Sequence, residues 1–213
     1  MEAGGWGKVY GICGQVVSLC WLNLLWIALT VAGLGVFGLF PATGAMFSVV
    51  RSILTGRERG SLAAHFWLEY RRHFLRLNGL GFLLGLMGFA LLLDYRLLTL
   101  VEGGLHFLLA LLLAGVTVVF SISLFYFFPV FVHYNLRFWQ YLFQPFLFTL
   151  SRPGEGLLML GGAAVLIYGV KAFPGLIPFF GGSVFAWFWM VVSLRAFRAV
   201  ENRGFALGKE EGI

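Results

Sequence analysis

Four histidines, two cysteines and nine carboxylates are the residues of this 213-residue chain with the most obvious capacity for chemistry. His65 and His73 stand eight apart. A zinc pair on a helix needs closer spacing, as in H-E-x-x-H, and a third ligand, and the neighbourhood supplies neither. A solvated polar face is the simpler reading. His133, Arg137, Gln140 and Gln144 form a polar line at helical spacing in a segment otherwise rich in Phe, Leu, Trp and Tyr. So narrow a stripe should face a partner helix, a wet cavity or the aqueous surface, with a proton relay through His133 as the sharper alternative. Cys13 and Cys20 are seven apart. That is about 10 Å along a straight helix, too far for a disulfide, so the two thiols read as small packing residues.

The remaining polar positions are as sparing. Asp94 and Arg96 flank Tyr95, with Glu102 just beyond, where hydrated charges at a membrane boundary are expected. Gln15, Asn23 and Asn78 are amides inside apolar stretches, and hydrogen bonding between helices is the default use of such groups. Gly81-x-x-x-Gly85 is a helix-packing signal rather than a phosphate loop, and neither G-x-x-x-x-G-K-[ST] nor G-x-S-x-G occurs. Aromatic residues make up 18% of the chain, which suits an interfacial belt and packing as well as it suits a sugar platform. No catalytic, cofactor-binding or metal-binding residue is assigned, no cofactor is expected, and the chain is expected not to be an enzyme.

The elements that position these residues follow from where charge is missing. Hydrophobic residues are 60% of the chain and charged residues 11%, against about 25% charged in an ordinary soluble domain. No Asp, Glu, Lys or Arg falls in 9–50, 77–93, 103–136, 156–170 or 172–194. Several of these intervals reach the roughly 20 apolar residues that cross a bilayer. The expectation is an all-α, polytopic membrane helix bundle forming a single domain over 1–213. Its spans are about 14–39, 74–93, 105–128, 156–172 and 179–196. Phe40-Pro41 and Phe128-Pro129 are expected to end the first and third spans. The first span is read as retained rather than cleaved as a signal, because its charge-free run exceeds a signal core.

Lys and Arg orient the spans. Twelve of the 15 fall in 40–76, 129–155 and the C-terminal tail, leaving Lys8, Arg96 and Lys171 opposite. The excess marks the cytoplasmic side, so the N-terminus is expected outside and the C-terminus in the cytoplasm. Cytoplasmic amphipathic helices are expected at about 41–55, 62–73 and 130–150. Leu62, Phe66, Tyr70, Phe74 and Leu77 share one arc, with a basic face at His65, Arg72, His73 and Arg76. Pro145 is expected to kink or end the 130–150 helix. Leu39-Phe40-Pro41 and Phe127-Phe128-Pro129 echo each other, an echo for which coincidence suffices.

Several stretches carry a family resemblance: Gly38-Leu39-Phe40-Pro41-Ala42-Thr43 with Phe47-Ser48-Val49-Val50-Arg51, Phe128-Pro129 with His133-Tyr134, Leu150-Ser151-Arg152-Pro153, and the run Phe173 to Ser183. Together they resemble the YesL-like family of small bacterial integral membrane proteins. The resemblance implies a multi-pass plasma-membrane protein without known catalytic residues. Members are often encoded beside carbohydrate ABC importers, which implies an accessory role in sugar uptake, with lipid, ABC transporter subunits or another membrane protein, and further copies of the chain as partners, and no nucleic acid. A self-sufficient small transporter or channel, homo-oligomeric and using the His133–Gln144 stripe as its path, is the alternative.

Overall fold

A helix surrounded by hydrocarbon satisfies its own backbone, so the architecture is set by where helices must break. The computed structural model describes residues 3–57 and 60–210. Arg59, and the side chains of Lys8, Cys13, Arg203 and Lys209, lie outside the described part. The chain is all-α: α1 (Ala3–Ala32), α2 (Val36–Leu54), α3 (Leu62–Leu98), α4 (Gly104–His133), α5 (Gln140–Ser151), α6 (Pro153–Ala172), and, after a 3₁₀ turn at Pro174–Leu176, α7 (Ile177–Glu210). These helices gather into two compact units. One comprises the chain to Phe74 with Gly162–Met190, the other Leu75–Gly161 with the chain from Val191 on.

Five described helices are long and apolar enough to cross a bilayer: Gly14–Ala32, Val36–Leu54, Leu62–Leu98, Gly104–His133 and Pro174–Glu201. They are consistent with a multi-pass membrane protein. Their outward faces are apolar, with Phe82, Leu86 and Phe89 on α3 and Phe107, Leu108, Leu111 and Leu112 on α4 all exposed. Such a surface is untenable in water and ordinary in lipid.

The expected count of five is met by a different set. The first expected span, 14–39, breaks at 33–35, not at Pro41, and the expected interfacial segment 41–55 belongs to an apolar 19-residue helix, α2. The cause is local. Leu34 and Gly35 adopt positive φ, 60° and 72°, and a Cβ on Gly38 would run into Thr30 O, so the two helices turn and meet closely only with glycine there. Pro41 sits buried inside α2, and Pro129 is followed by a last turn of α4 that ends at His133. Proline removes one N–H, and a helix tolerates that where neighbours cover the gap. Conversely, the apolar part of α6, Pro153–Gly169, is shorter than the other five. The expected helix 62–73 and span 74–93 are one continuous α3 of 37 residues, about 55 Å at 1.5 Å per residue.

In the first unit α1 and α2 form an antiparallel hairpin, pinned where Trp26 Nε1 donates to Thr43 Oγ1 at 3.0 Å. Tyr70 from α3 reaches over and donates to Leu29 O at 3.1 Å. The arc read from sequence supplies the packing face of α3, with Phe66, Tyr70 and Leu77 buried.

Asn23 does the heaviest polar work in this unit. Fully buried, its Nδ2 donates to Ile177 O (3.2 Å) and Pro178 O (2.7 Å), and its Oδ1 accepts from Gly182 N–H (2.8 Å) and Ser183 N–H (3.2 Å). The amide thus bridges Pro178 C=O and Gly182 N–H, a pair that a helical i→i−4 bond would join. Gly182 leaves the space, since a Cβ there would stand 3.2 Å from Asn23 Oδ1 and 3.1 Å from Met46 Cε. The interhelical role expected of Asn23 is therefore what the structure displays. Gln15 is exposed. Replacing Asn23 by Leu should strand these backbone groups and lower stability by about 2 kcal/mol, read as a fall in Tm in detergent. An unchanged Tm would mean the bridge is idle.

Candidate functional site

The second unit holds the only expected polar stripe, and a sequence-local reason breaks it up. α4 ends at His133, Tyr134 is extended (φ −106°, ψ 143°), and helix resumes only at Gln140. The single helix expected over 130–150 is therefore a turn and a short helix folded back along α4. The return is fastened by ring pairs, Phe131–Tyr141 at 4.8 Å and Tyr126–Phe148 at 6.1 Å, and by Ser123 Oγ to Thr149 Oγ1 at 3.1 Å. Pro145 lies buried inside α5 without ending it.

The four stripe residues accordingly go separate ways. Gln140 Oε1 accepts from Arg137 N–H at 2.8 Å and tightens the turn, while the Arg137 side chain is exposed. Gln144 is half-buried on α5. His133 turns to α7, its Nε2 standing 3.4 Å from Glu201 Oε1. Tyr134 donates its hydroxyl to the same carboxylate oxygen at 3.2 Å. Phe197, one turn earlier on α7 and fully buried, packs against His133 (4.7 Å), Tyr134 (5.2 Å) and Phe148 (4.9 Å).

Arg76 completes the cluster. Expected on a basic interfacial face with His65, Arg72 and His73, it instead turns inward and donates from Nη2 to Leu136 O at 2.6 Å. Its guanidinium lies over the Tyr141 ring at 4.8 Å and near Phe131 at 5.9 Å. Tyr141 in turn donates to Tyr134 O (2.8 Å) and accepts from Leu136 N–H (3.0 Å). A cation held over two rings with a carbonyl in reach is a fixed joint, since the planar guanidinium can stack and donate together. The rest of the expected basic face divides. Arg72 is exposed, His73 Nε2 lies 3.7 Å from Glu69, and His65 Nε2 lies 3.4 Å from Ser48 Oγ.

Glu201, Tyr141 and Phe197 escaped the sequence reading. One signal was available: Glu201 is the only acidic residue between 156 and 209. The cluster brings an imidazole, a phenol and a carboxylate together, but its contacts are spent on joining α4, α5 and α7. No group of three or more His, Cys, Asp or Glu placed to hold a metal occurs among the described residues. At the other end of α3, His106 Nδ1 lies 3.1 Å from Leu98 O and 3.0 Å from Val101 O and so closes the α3–α4 turn, while Asp94 is exposed.

Burial, and then the Glu201 charge and hydrogen bond, raise the Tyr134 phenol above its ordinary value. The folded state then keeps a proton that an unfolded tyrosine releases near pH 10. This contribution is full below about pH 10 and is lost as pH rises further. Tyr134→Phe should therefore flatten the alkaline decline of Tm, and parallel declines would contradict the assignment. Arg76→Met should cost about 2 kcal/mol, with Arg76→Lys recovering only part, as measured by denaturant unfolding in detergent. Equal behaviour of Met and Lys would show that charge plays no part in the joint.

Comparison with known proteins places these features in a family. A family described as "Protein of unknown function, DUF624" matches residues 19–95, the stretch that carries Asn23, Tyr70 and Arg76. The chain is 34% identical over 202 residues to YesV of Bacillus subtilis (strain 168), covering 94% of this chain and 96% of YesV. It is 32% identical over 204 residues to YteU of the same organism, covering 94% of this chain and 90% of YteU. To YesL, again from B. subtilis, it is 30% identical over 191 residues, covering 90% of each chain. All three carry the description uncharacterized. No solved structure matches the chain significantly. Aligned nearly end to end with these relatives, the chain belongs to the YesL-like, DUF624 family of proteins.

Proposed function

We propose that the protein is a non-enzymatic membrane subunit that docks another membrane protein through the outer ridge of α5. One observation carries the reading. Trp139, just before α5, and Phe143, Leu147 and Leu150 along it recur at helical spacing and are 54–66% exposed, while Tyr141, Leu142, Pro145 and Phe148 on the opposite side are buried. A short helix apolar on both sides, fixed at its start by Arg76 and Tyr141, is a preorganised edge for helix-on-helix contact. The family resemblance directs the choice of partner to subunits of carbohydrate ABC importers. In the same reading the protein sits in the bacterial plasma membrane. The expected orientation, N-terminus outside and C-terminus in the cytoplasm, counted Lys and Arg over one span at 14–39; with α1 and α2 as separate crossings the same count puts the N-terminus on the Arg51–Arg76 side.

The polar atoms of the former stripe argue against the transporter alternative. Gln140 is spent on its turn, and His133 faces Glu201. The distinguishing experiment uses the full chain purified gently from its native membranes. Importer permease subunits should co-purify with the wild type, and Phe143→Glu with Leu147→Glu should reduce their recovery at least tenfold while leaving Tm within a few degrees. Equal recovery with the variant, no importer subunit at all, or solute uptake by proteoliposomes containing only this protein would overturn the proposal.

A further inference from the structure

The carboxyl-terminal end of a helix favours cations, and α3 carries an anion there. Asp94 stands four residues before Leu98, the last residue of α3, where the free carbonyls and the helix dipole disfavour a carboxylate. It is exposed and forms no ion pair with a described residue. Arg96 is two positions on, so it leaves α3 about 200° round the helix from Asp94. His106 is engaged at the Leu98 and Val101 carbonyls. An open crevice of about 270 Å³ lies between α3 and α4 at this level, and Asp94 lines it together with Leu97 and Leu98 from α3 and Leu109, Leu112 and Leu113 from α4.

We propose that this crevice binds a small organic ammonium ion, its nitrogen at the Asp94 carboxylate and its hydrocarbon against the leucines. Charge complementarity selects a cation, and the walls select its kind. A metal ion would have to shed water for a single carboxylate, since Asp94 belongs to no described group of three or more His, Cys, Asp or Glu placed to hold one. An ammonium on a hydrocarbon stem needs one anionic partner, and it gains from each methylene that it lays on leucine. The crevice is smaller than the roughly 300 Å³ at which drug-sized pockets begin, so the ion is a small one. The site lies at the α3–α4 turn, the opposite end of α4 from α5, and does not depend on the partner contact proposed there.

The test titrates the full chain in neutral detergent with methyl-, ethyl-, propyl- and butylammonium while leucine methyl groups are followed by NMR. Saturable shifts should appear at Leu97 and Leu109, and affinity should rise about fourfold per methylene until the crevice is full. Butanol and sodium ion should each bind at least tenfold more weakly than butylammonium. Asp94→Asn should weaken butylammonium at least tenfold. Leu109→Trp, which fills the crevice and leaves the carboxylate, should do the same and carries the test if Asp94→Asn does not fold. Glu102→Gln, an equal change of charge nearby, should bind as the wild type does. Dihexanoyl phosphatidylethanolamine matching butylammonium would place the same ammonium on a lipid headgroup and support the site equally. No saturable shift, equal binding of butanol or sodium, affinity flat along the series, or binding unchanged by Asp94→Asn would overturn the proposal.

Discussion

A backbone carbonyl or amide released from a helix and left unpaired in hydrocarbon costs several kcal/mol. That constraint is visible at four of the described helix breaks. Tyr70 donates to Leu29 O at the end of α1, and His106 closes the carbonyls at the end of α3. Arg76 and Tyr141 take Leu136 O and Tyr134 O between α4 and α5, and Asn23 takes Ile177 O and Pro178 O at the start of α7. Each donor comes from outside the turn it closes, or across it, so the scarce polar residues of an apolar chain are occupied in joining helices.

Function must then be sought in what is left over. The cluster of His133, Tyr134, Arg76 and Glu201 has the residue types of a reactive centre, yet its distances and ring contacts describe a joint. What the joint produces is a rigid α5 with one apolar side turned outward, and that side carries the proposed partner contact.

The sequence made the helical content and the apolar stretches legible because the missing charges are segregated and hydrocarbon admits little besides helix. It also made the packing arc of α3 legible, through Phe66, Tyr70 and Leu77. Breaks were harder to read. Pro41 and Pro129 look like stops, but each costs one N–H and fits within a helix, whereas the first turn comes from the positive φ of Leu34 and Gly35 and the close approach at Gly38. The polar stripe failed for a related reason: helical spacing from His133 to Gln144 has meaning only if the helix continues, and Tyr134 is extended. Arg76 lies on the polar arc by angle, yet the carbonyl and rings that hold it belong to residues sixty positions away, which no local pattern encodes.

Hydrogen exchange in lipid nanodiscs tests the governing constraint most directly, because it reads individual backbone groups without altering them. Leu136 N–H and Arg137 N–H lie outside any helix, yet they donate to Tyr141 and Gln140. If side chains close the breaks, these two amides should exchange at least about a hundredfold more slowly than unstructured backbone. Exchange of both at the rate of an open loop would contradict the account.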